Sequence, residues 1–381
     1  MRAGTGRSRG RTSGWYSSDA LRARPAIADL KPYEPGKPAA AVRRELGLDR
    51  IVKLASNEGP FGPFPSALEA IARQAPELNR YPELGYDLTE RLAARHGVDR
   101  SAIAIGNGAD GLVGCLSTAY LDPGDEAVMG WPSFVSYYLD AIKMGATPVT
   151  VPLVDGAYDL PAMADRIGPR TKLAYVCNPN NPTGSMVGRG ALAAFVDAVP
   201  DDVLVVVDEA YSDYITDPDY PDAIAEHVGR RPNVAVLRTF SKIYGLAGLR
   251  VGYMVGPPEV VREVMKIRNA FDVSELAHVA ALASLNDPGE LRRRRDVNER
   301  GRIDMTAMFA GLGMRPFPAC ANFLAVDVGE GRALADALMR EGVIVRPLDP
   351  FGAPECIRVT VGTPEENAIL ADVLARALQP R

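Results

Sequence analysis

LRTFSKIYGLAGLRVGY, residues 237–253, gathers Thr239, Ser241, Lys242 and Arg250 within twelve positions. The apolar run Val234-Ala235-Val236-Leu237 leads into it and a glycine-rich turn follows, so the polar residues leave the end of a strand. A lysine in a partly desolvated pocket has a lowered pKa and becomes a nucleophilic amine that forms Schiff bases with aldehydes. Arg250 opens the next apolar run, Val251 to Val255, and its fork of donors can meet Thr239 and Ser241 across a phosphate. The ligand so described carries both an aldehyde and a phosphate. Taken alone, the stretch also fits a buried lysine paired with a carboxylate at a strand end, and the rest of the chain has to separate the two readings.

Those two groups on one molecule point to pyridoxal 5′-phosphate (PLP). T-x-S-K followed eight residues later by Arg resembles the cofactor-lysine segment of the fold-type I PLP-dependent enzymes, the aspartate aminotransferase superfamily. Two more polar clusters leave apolar runs: Asn178-Pro179-Asn180-Asn181-Pro182-Thr183-Gly184 follows a strand expected over Lys172–Cys177, and Asp208-Glu209-Ala210-Tyr211 follows one over Val203–Val207. With further strands at Thr147–Val151, Val234–Leu237 and Val251–Val255, apolar runs alternate with helical stretches. That alternation predicts βαβ units in a largely parallel sheet, which carries the clusters to one edge, where ligands bind.

Earlier in the chain, a strand over Ala102–Ile105 runs into Gly106-Asn107-Gly108-Ala109-Asp110-Gly111, a match to the dinucleotide fingerprint G-x-G-x-x-G. A dinucleotide site also requires an acid at the end of the next strand to hold the ribose. Here Asp125 and Glu126 stand at the start of that strand, and Gly130 and Trp131 occupy its end. Common to both readings is a helix N-terminus whose glycines let backbone N–H groups approach a phosphate.

The resemblance implies roles that the residues alone leave open. Lys242 would carry the cofactor, while Gly108, Ala109, Asp110, Thr239, Ser241 and Arg250 would surround its phosphate. Phe134 would stack on the pyridine ring. Asp208 would face the ring nitrogen and keep it protonated, and Asn181 and Tyr211 would donate to the phenolate oxygen. Lys242, Asp208 and Tyr211 are therefore the catalytic candidates. Tyr81, in N-R-Y-P, would reach the neighbouring subunit's cofactor phosphate in a homodimer with shared sites. Tyr33 in a Pro- and Gly-rich arm and Asn57 in L-A-S-N-E would approach the substrate. Arg358 in C-I-R-V-T-V-G, with Arg346 in V-R-P, would take its anionic group. A cis peptide is expected at Asn181–Pro182, where X–Pro permits one in a tight turn.

The fold expected is that of fold-type I: an α/β large domain with a mainly parallel seven-stranded sheet sandwiched by helices, plus a small α/β C-terminal domain. Residues 1–24 read as a disordered basic tail, 25–46 as an arm and helix packing on the small domain, 47–288 as the large domain and 289–381 as the small one. Helices are expected at Pro65 to Gln74, Tyr86 to His96 and Gly289 to Leu312, the last containing Arg292–Arg295, which reads as a solvated face among Glu290, Asp296 and Glu299.

Composition limits the alternatives. At 381 residues, 47% apolar and 24% charged, the chain matches a soluble globular enzyme. The formal charge is −5, and residues 1–24 hold six Arg against one Asp, a tail of +5 that leaves the remainder at −10. An acidic body argues against nucleic-acid binding. The tail lacks the apolar segment of a secretory signal, and no run approaches a membrane span. Four scattered cysteines and three histidines form neither a disulfide framework nor a metal site, which suits a reducing cytoplasm.

Within the superfamily, N-R-Y-P, G-A-D, C-N-P-N-N-P-T-G, D-E-A-Y, A-N-F and I-R-V-T-V-G-T look most like the histidinol-phosphate branch. The expected partners are a small amino donor and a 2-oxo acid, with no nucleic acid and no membrane. Pro364, where many members of that branch have a basic residue, favours an aromatic amino acid as donor instead. A decarboxylase of a phosphorylated amino acid shares the scaffold and would release CO2. A non-enzymatic regulator would need a DNA-binding domain that the residues before the fold do not supply.

Overall fold

The computed structural model describes residues 23–28, 30, 38–83 and 85–379. Residues 1–22 of the basic tail and Tyr33 lie outside the described residues. Met1–Tyr33 forms a unit by itself, described only as a helical turn at Pro25–Ala28, and Glu34–Arg381 forms the other.

Seven strands build the main sheet in the spatial order Ile103–Gly106, Gly252–Val255, Val234–Thr239, Leu204–Asp208, Thr171–Cys177, Glu126–Trp131 and Thr147–Pro152. Leu204–Asp208 and its flanking strands read as nearly continuous apolar runs because they lie at the centre with both faces covered; Leu204–Asp208 is buried at every position. Helices Gly108–Tyr120 and Arg189–Ala198 cover this core through Leu112, Val113 and Leu116 and through Leu192, Phe195 and Val196. The mainly parallel α/β fold is as expected.

Gly252–Val255 runs antiparallel to both of its neighbours. The physical reason is that its connection holds no helix. The twelve residues 240–251 contain only a 3-10 turn at Ala247–Leu249, whereas a return to a parallel strand usually crosses the sheet face as a helix. The chain therefore doubles back, and that short return carries Lys242. It also removes the dinucleotide reading on structural grounds: Ile103–Gly106 is an edge strand whose one neighbour is antiparallel, not a parallel strand at a switch point.

A second core lies in the C-terminal part. Phe323–Asp327 and Cys356–Thr360 pair antiparallel, flanked by Arg315–Pro316 and Arg346–Pro347. Helices Gly331–Arg340 and Pro364–Ala377 pack Leu338, Leu370, Val373 and Leu374 against this sheet, with Met305 and Phe309 from the long helix Pro288–Gly311. Val52 and Leu54 join the same core, and Val52–Lys53 pairs parallel with Val343–Ile344. Helix Ala39–Leu46 packs Val42 against Ala55 and Ile344. Pro364 is the first residue of its helix, behind a Thr363–Glu366 capping box, a position that favours proline for its fixed φ and missing N–H.

Among the described residues the cis peptides are Trp131–Pro132 and Asn178–Pro179; Asn181–Pro182 is not among them, contrary to expectation. Residues 181–183 form a helical turn closed by a hydrogen bond from Gly184 N–H to the Asn180 carbonyl at 2.7 Å, and that backbone is built from trans bonds. Among the described residues, no helix is long and apolar enough to cross a membrane.

Candidate active site

Strand register brings the polar clusters together. Cys177 is level with Asp208, and Asp208 with Leu237, so Asn178–Asn181, Asp208–Tyr211 and Thr239–Lys242 leave one edge of the sheet side by side.

On one side lies an anion cradle. The N-terminus of helix Gly108–Tyr120 points its free N–H groups here, a partial positive charge suited to phosphate. Gly108 has φ +71°, and a Cβ placed there would stand 2.7 Å from Arg250 Nη2, so only glycine lets the guanidinium lie against the helix end. Gly252 is required for the same packing: an added Cβ would come within 2.6 Å of the Ala109 nitrogen. Arg250 Nη1 donates to Ser241 Oγ at 3.4 Å, and the Thr239 hydroxyl donates to Ser241 Oγ at 3.0 Å. Asp110 is exposed at the rim, where its Oδ1 accepts from Ser136 Oγ at 2.5 Å.

At the centre, Lys242 is half-buried, its Nζ 5.3 Å from the centroid of the Tyr211 ring. Burial, followed by the Arg358 charge, lowers its pKa to about 8, and Glu58 and Asp208 oppose the shift. A substantial fraction of the amine is therefore neutral near physiological pH.

Asp208 is 4% exposed, and burial raises its carboxyl above the ordinary range. Tyr137 Oη donates to its Oδ2 at 2.6 Å and Ala210 N–H to its Oδ1 at 3.0 Å. Both donors are neutral, so a cationic partner in the site would stabilise the ionised carboxylate further. Tyr137 is a residue that the sequence did not single out. It lies on helix Val135–Met144, three positions beyond Phe134 and edge-on to that ring at 5.5 Å, and it stacks flat on Tyr175 at 4.5 Å. The only signal was the three-residue spacing from Phe134, which puts both on one helix face. Replacing Tyr137 with Phe should lower stability by about 1.5–3 kcal/mol, the value of a hydrogen bond to a charged group, as read by urea denaturation at pH 7.

The far side joins the two cores. Asn57, buried and at φ +54°, donates from Nδ2 to Tyr211 Oη at 3.2 Å and to Asn181 Oδ1 at 3.5 Å. Its own backbone is fixed from the C-terminal core: its N–H donates to Thr360 Oγ1 at 3.0 Å, and its carbonyl accepts from Asn322 Nδ2 at 3.2 Å. Arg358, 7% exposed, donates to Asn181 Oδ1 at 2.5 Å and to the Ala55 carbonyl at 2.9 Å. Arg346 is the cross-strand register partner of Arg358, so both side chains stand on one face of the small sheet. The structure thus gathers Asn57, Gly108, Ala109, Asn181, Asp208, Tyr211, Thr239, Ser241, Lys242, Arg250 and Arg358. Tyr81 instead is 79% exposed, its ring stacked on Phe271 at 4.6 Å beside the exposed Leu78.

The sequence matches the aminotransferase class I and II family over residues 49–374. It is 46% identical over 359 residues to a histidinol-phosphate aminotransferase of Moorella thermoacetica, covering 94% of this chain and 93% of that one. It is 42% identical over 364 residues to histidinol-phosphate aminotransferase 2 of Methylococcus capsulatus, with 93% and 98% covered. In three dimensions it resembles the histidinol-phosphate aminotransferase of Sinorhizobium meliloti in complex with pyridoxal 5′-phosphate, with TM-score 0.86, 32% identity, and 95% and 98% of the two chains covered.

Proposed function

Because the chain belongs to the class I and II aminotransferases, we propose that it uses PLP to transfer the amino group of histidinol phosphate to 2-oxoglutarate, giving imidazole acetol phosphate and glutamate in histidine biosynthesis. The residues fit the cofactor. A helix N-terminus with Gly108, Ala109, Thr239, Ser241 and Arg250 suits a phosphate, the buried Asp208 suits a protonated ring nitrogen, and the lysine between them is partly deprotonated near neutral pH. Phe134 would cover the ring, and Asn181 and Tyr211 would donate to its phenolate oxygen. When bound, PLP supplies an aldehyde that condenses with amines and a cationic ring that draws electrons from the substrate Cα.

Lys242 would then have two tasks: its Nζ would anchor the cofactor and, once displaced by the donor, would carry the proton from the donor's Cα to the carbon that bore the aldehyde, the transfer running in reverse to the acceptor's Cα in the second half-reaction. Asp208 holds the proton on the ring nitrogen, and Tyr137 holds Asp208. Arg358, with Arg346 beside it, binds the donor's phosphate in one half-reaction and the carboxylate of glutamate or 2-oxoglutarate in the other, since each presents pairs of anionic oxygens to a guanidinium fork.

The observation that carries the substrate reading is this pair of register-matched arginines on one face, a charge density suited to a phosphate. Pro364, the residue that favoured an aromatic donor, has a separate explanation as a helix start. The deciding measurement is kcat/KM for histidinol phosphate against phenylalanine with 2-oxoglutarate. Histidinol phosphate should be preferred, and a preference of about tenfold or more for phenylalanine, some 1.4 kcal/mol of transition-state binding, would replace it as the donor.

We read the working unit as a homodimer with shared sites in the cytoplasm. The exposed Tyr81, Phe271 and Leu78 supply an apolar patch of the kind that subunits cover, and all four cysteines are free. Mixing inactive Tyr81→Ala subunits with inactive Lys242→Ala subunits should restore activity, because heterodimers contain one intact site. Mixtures as inactive as their parents would mean that Tyr81 does not act across the interface.

A further inference from the structure

The arginine run Arg292–Arg295 has no part in the chemistry above. Arg292 and Arg293 form the solvated face expected of them; Arg293 bonds Glu290 on the helix surface. Arg294 does not follow, because it is 5% exposed and turned inward. Its Nε donates to Glu290 Oε1 at 2.7 Å and its Nη1 to the carbonyl of Ile243, the residue after Lys242, at 3.1 Å. The guanidinium also lies 4.4 Å from the ring centroid of Phe64 and 5.4 Å from that of Phe61. Across from it, Gly59 presses on the same turn: a Cβ there would stand 3.1 Å from the Lys242 carbonyl oxygen, which accepts from Gly245 N–H at 3.0 Å. The turn Lys242–Gly245 is thus held between the loop Gly59–Phe64 and the helix Pro288–Gly311, and one side chain touches all three.

A buried guanidinium is tolerated when its donors and charge are matched. Glu290 supplies the charge, and its own carboxyl is held well below the usual range, first by its hydrogen bond from Arg293 and then by that from Arg294. The planar fork lets Arg294 serve Glu290 and the Ile243 carbonyl together while stacking on Phe64. A lysine, with a single compact ammonium, cannot hold all three.

We propose that Arg294 is a positioning residue for Lys242, fixing the turn that aims the Lys242 amine into the site and tying it to the loop Gly59–Phe64. The inference rests on Lys242 being the cofactor-bearing amine. It predicts that loosening Arg294 lets water reach the lysine without touching substrate contacts.

The test uses full-length wild type, R294K, R294M and R292M, a control at an exposed position of the same helix. In cofactor-free protein, the pH dependence of Lys242 acetylation by pulsed acetic anhydride is read by peptide mass; in reconstituted enzyme, kcat and KM are measured. Wild type should be half-modified near pH 8. In R294K and R294M the midpoint should rise by at least about one pH unit, tenfold in proton affinity, while kcat falls about tenfold and KM moves less than about twofold. R292M should match wild type. If the Arg294 variants do not fold, E290Q, which removes the partner that orients the guanidinium, should show the same shift. An unshifted midpoint in the folded variants would reduce Arg294 to a structural residue and overturn the proposal. Borohydride treatment of the wild-type holoenzyme separates the two levels: no adduct on Lys242 refutes the reading beneath, whereas an adduct there with unshifted variants refutes only the role of Arg294.

Discussion

Lys242→Ala will remove turnover, by at least about 10⁴-fold, because one amine both anchors the cofactor and moves the proton at Cα, and alanine does neither. The loss should not come from misfolding. The Lys242 side chain is half-buried, and the turn that bears it is held through the backbone carbonyls of Lys242 and Ile243, which alanine retains. The variant should therefore fold and bind PLP through the phosphate cradle, but borohydride should fix no pyridoxyl group on the protein. Mass spectrometry of the reduced wild type should find the group on the peptide containing Lys242. A group on any other lysine, or turnover by the variant within about tenfold of wild type, would overturn the assignment.

Asp208→Asn is expected to lower kcat by about 10²–10⁴-fold with little change in cofactor binding. The amide is nearly isosteric, and its oxygen can still accept from Tyr137 Oη, so the buried network around Tyr137 and Tyr175 should survive. What is lost is the negative charge that stabilises a proton on the ring nitrogen, and with it the pull on electrons at Cα. The cofactor analogue N-methyl-PLP carries a permanent ring cation, and it should recover part of the lost rate in the Asn variant. A variant that keeps its rate within about tenfold of wild type, or is not helped by the analogue, would show that Asp208 is not the ring partner.

Much of the fold was legible because local rules and tertiary context agree here. Pro65–Gln74 and Tyr86–His96 form helices over the residues the pattern marked, and Glu126 and Val234 begin strands as expected. The central strands were readable because burial on both faces demands unbroken apolar runs. The antiparallel return at Gly252–Val255 was not, since Val251–Val255 looks like any other apolar run and direction follows from the connection. Nor was the isomer of Asn181–Pro182, which follows from how the turn closes onto Asn180. Arg294 was read as solvated because its neighbours in sequence are charged; a helix turns about 100° per residue, so one of four consecutive arginines can face the core while others face water.

By itself the sequence determined the chain order of the site, from Gly108 through Asn181, Asp208 and Lys242 to Arg358, and thereby the cofactor chemistry those residue types suit. These are properties of single positions, where a lysine, a carboxylate or a glycine is required by what its atoms can do. Only the tertiary structure decided which groups act through others: Tyr137 on Asp208, Asn57 on Tyr211 and Asn181, Arg346 beside Arg358, and Arg294 on the Lys242 turn. Such contacts join residues from 51 to 154 positions apart, or twelve in the case of the two strand arginines, and their strength depends on distances of about 3 Å and on exclusion of water. Neither quantity leaves a mark in local sequence, because packing sets both.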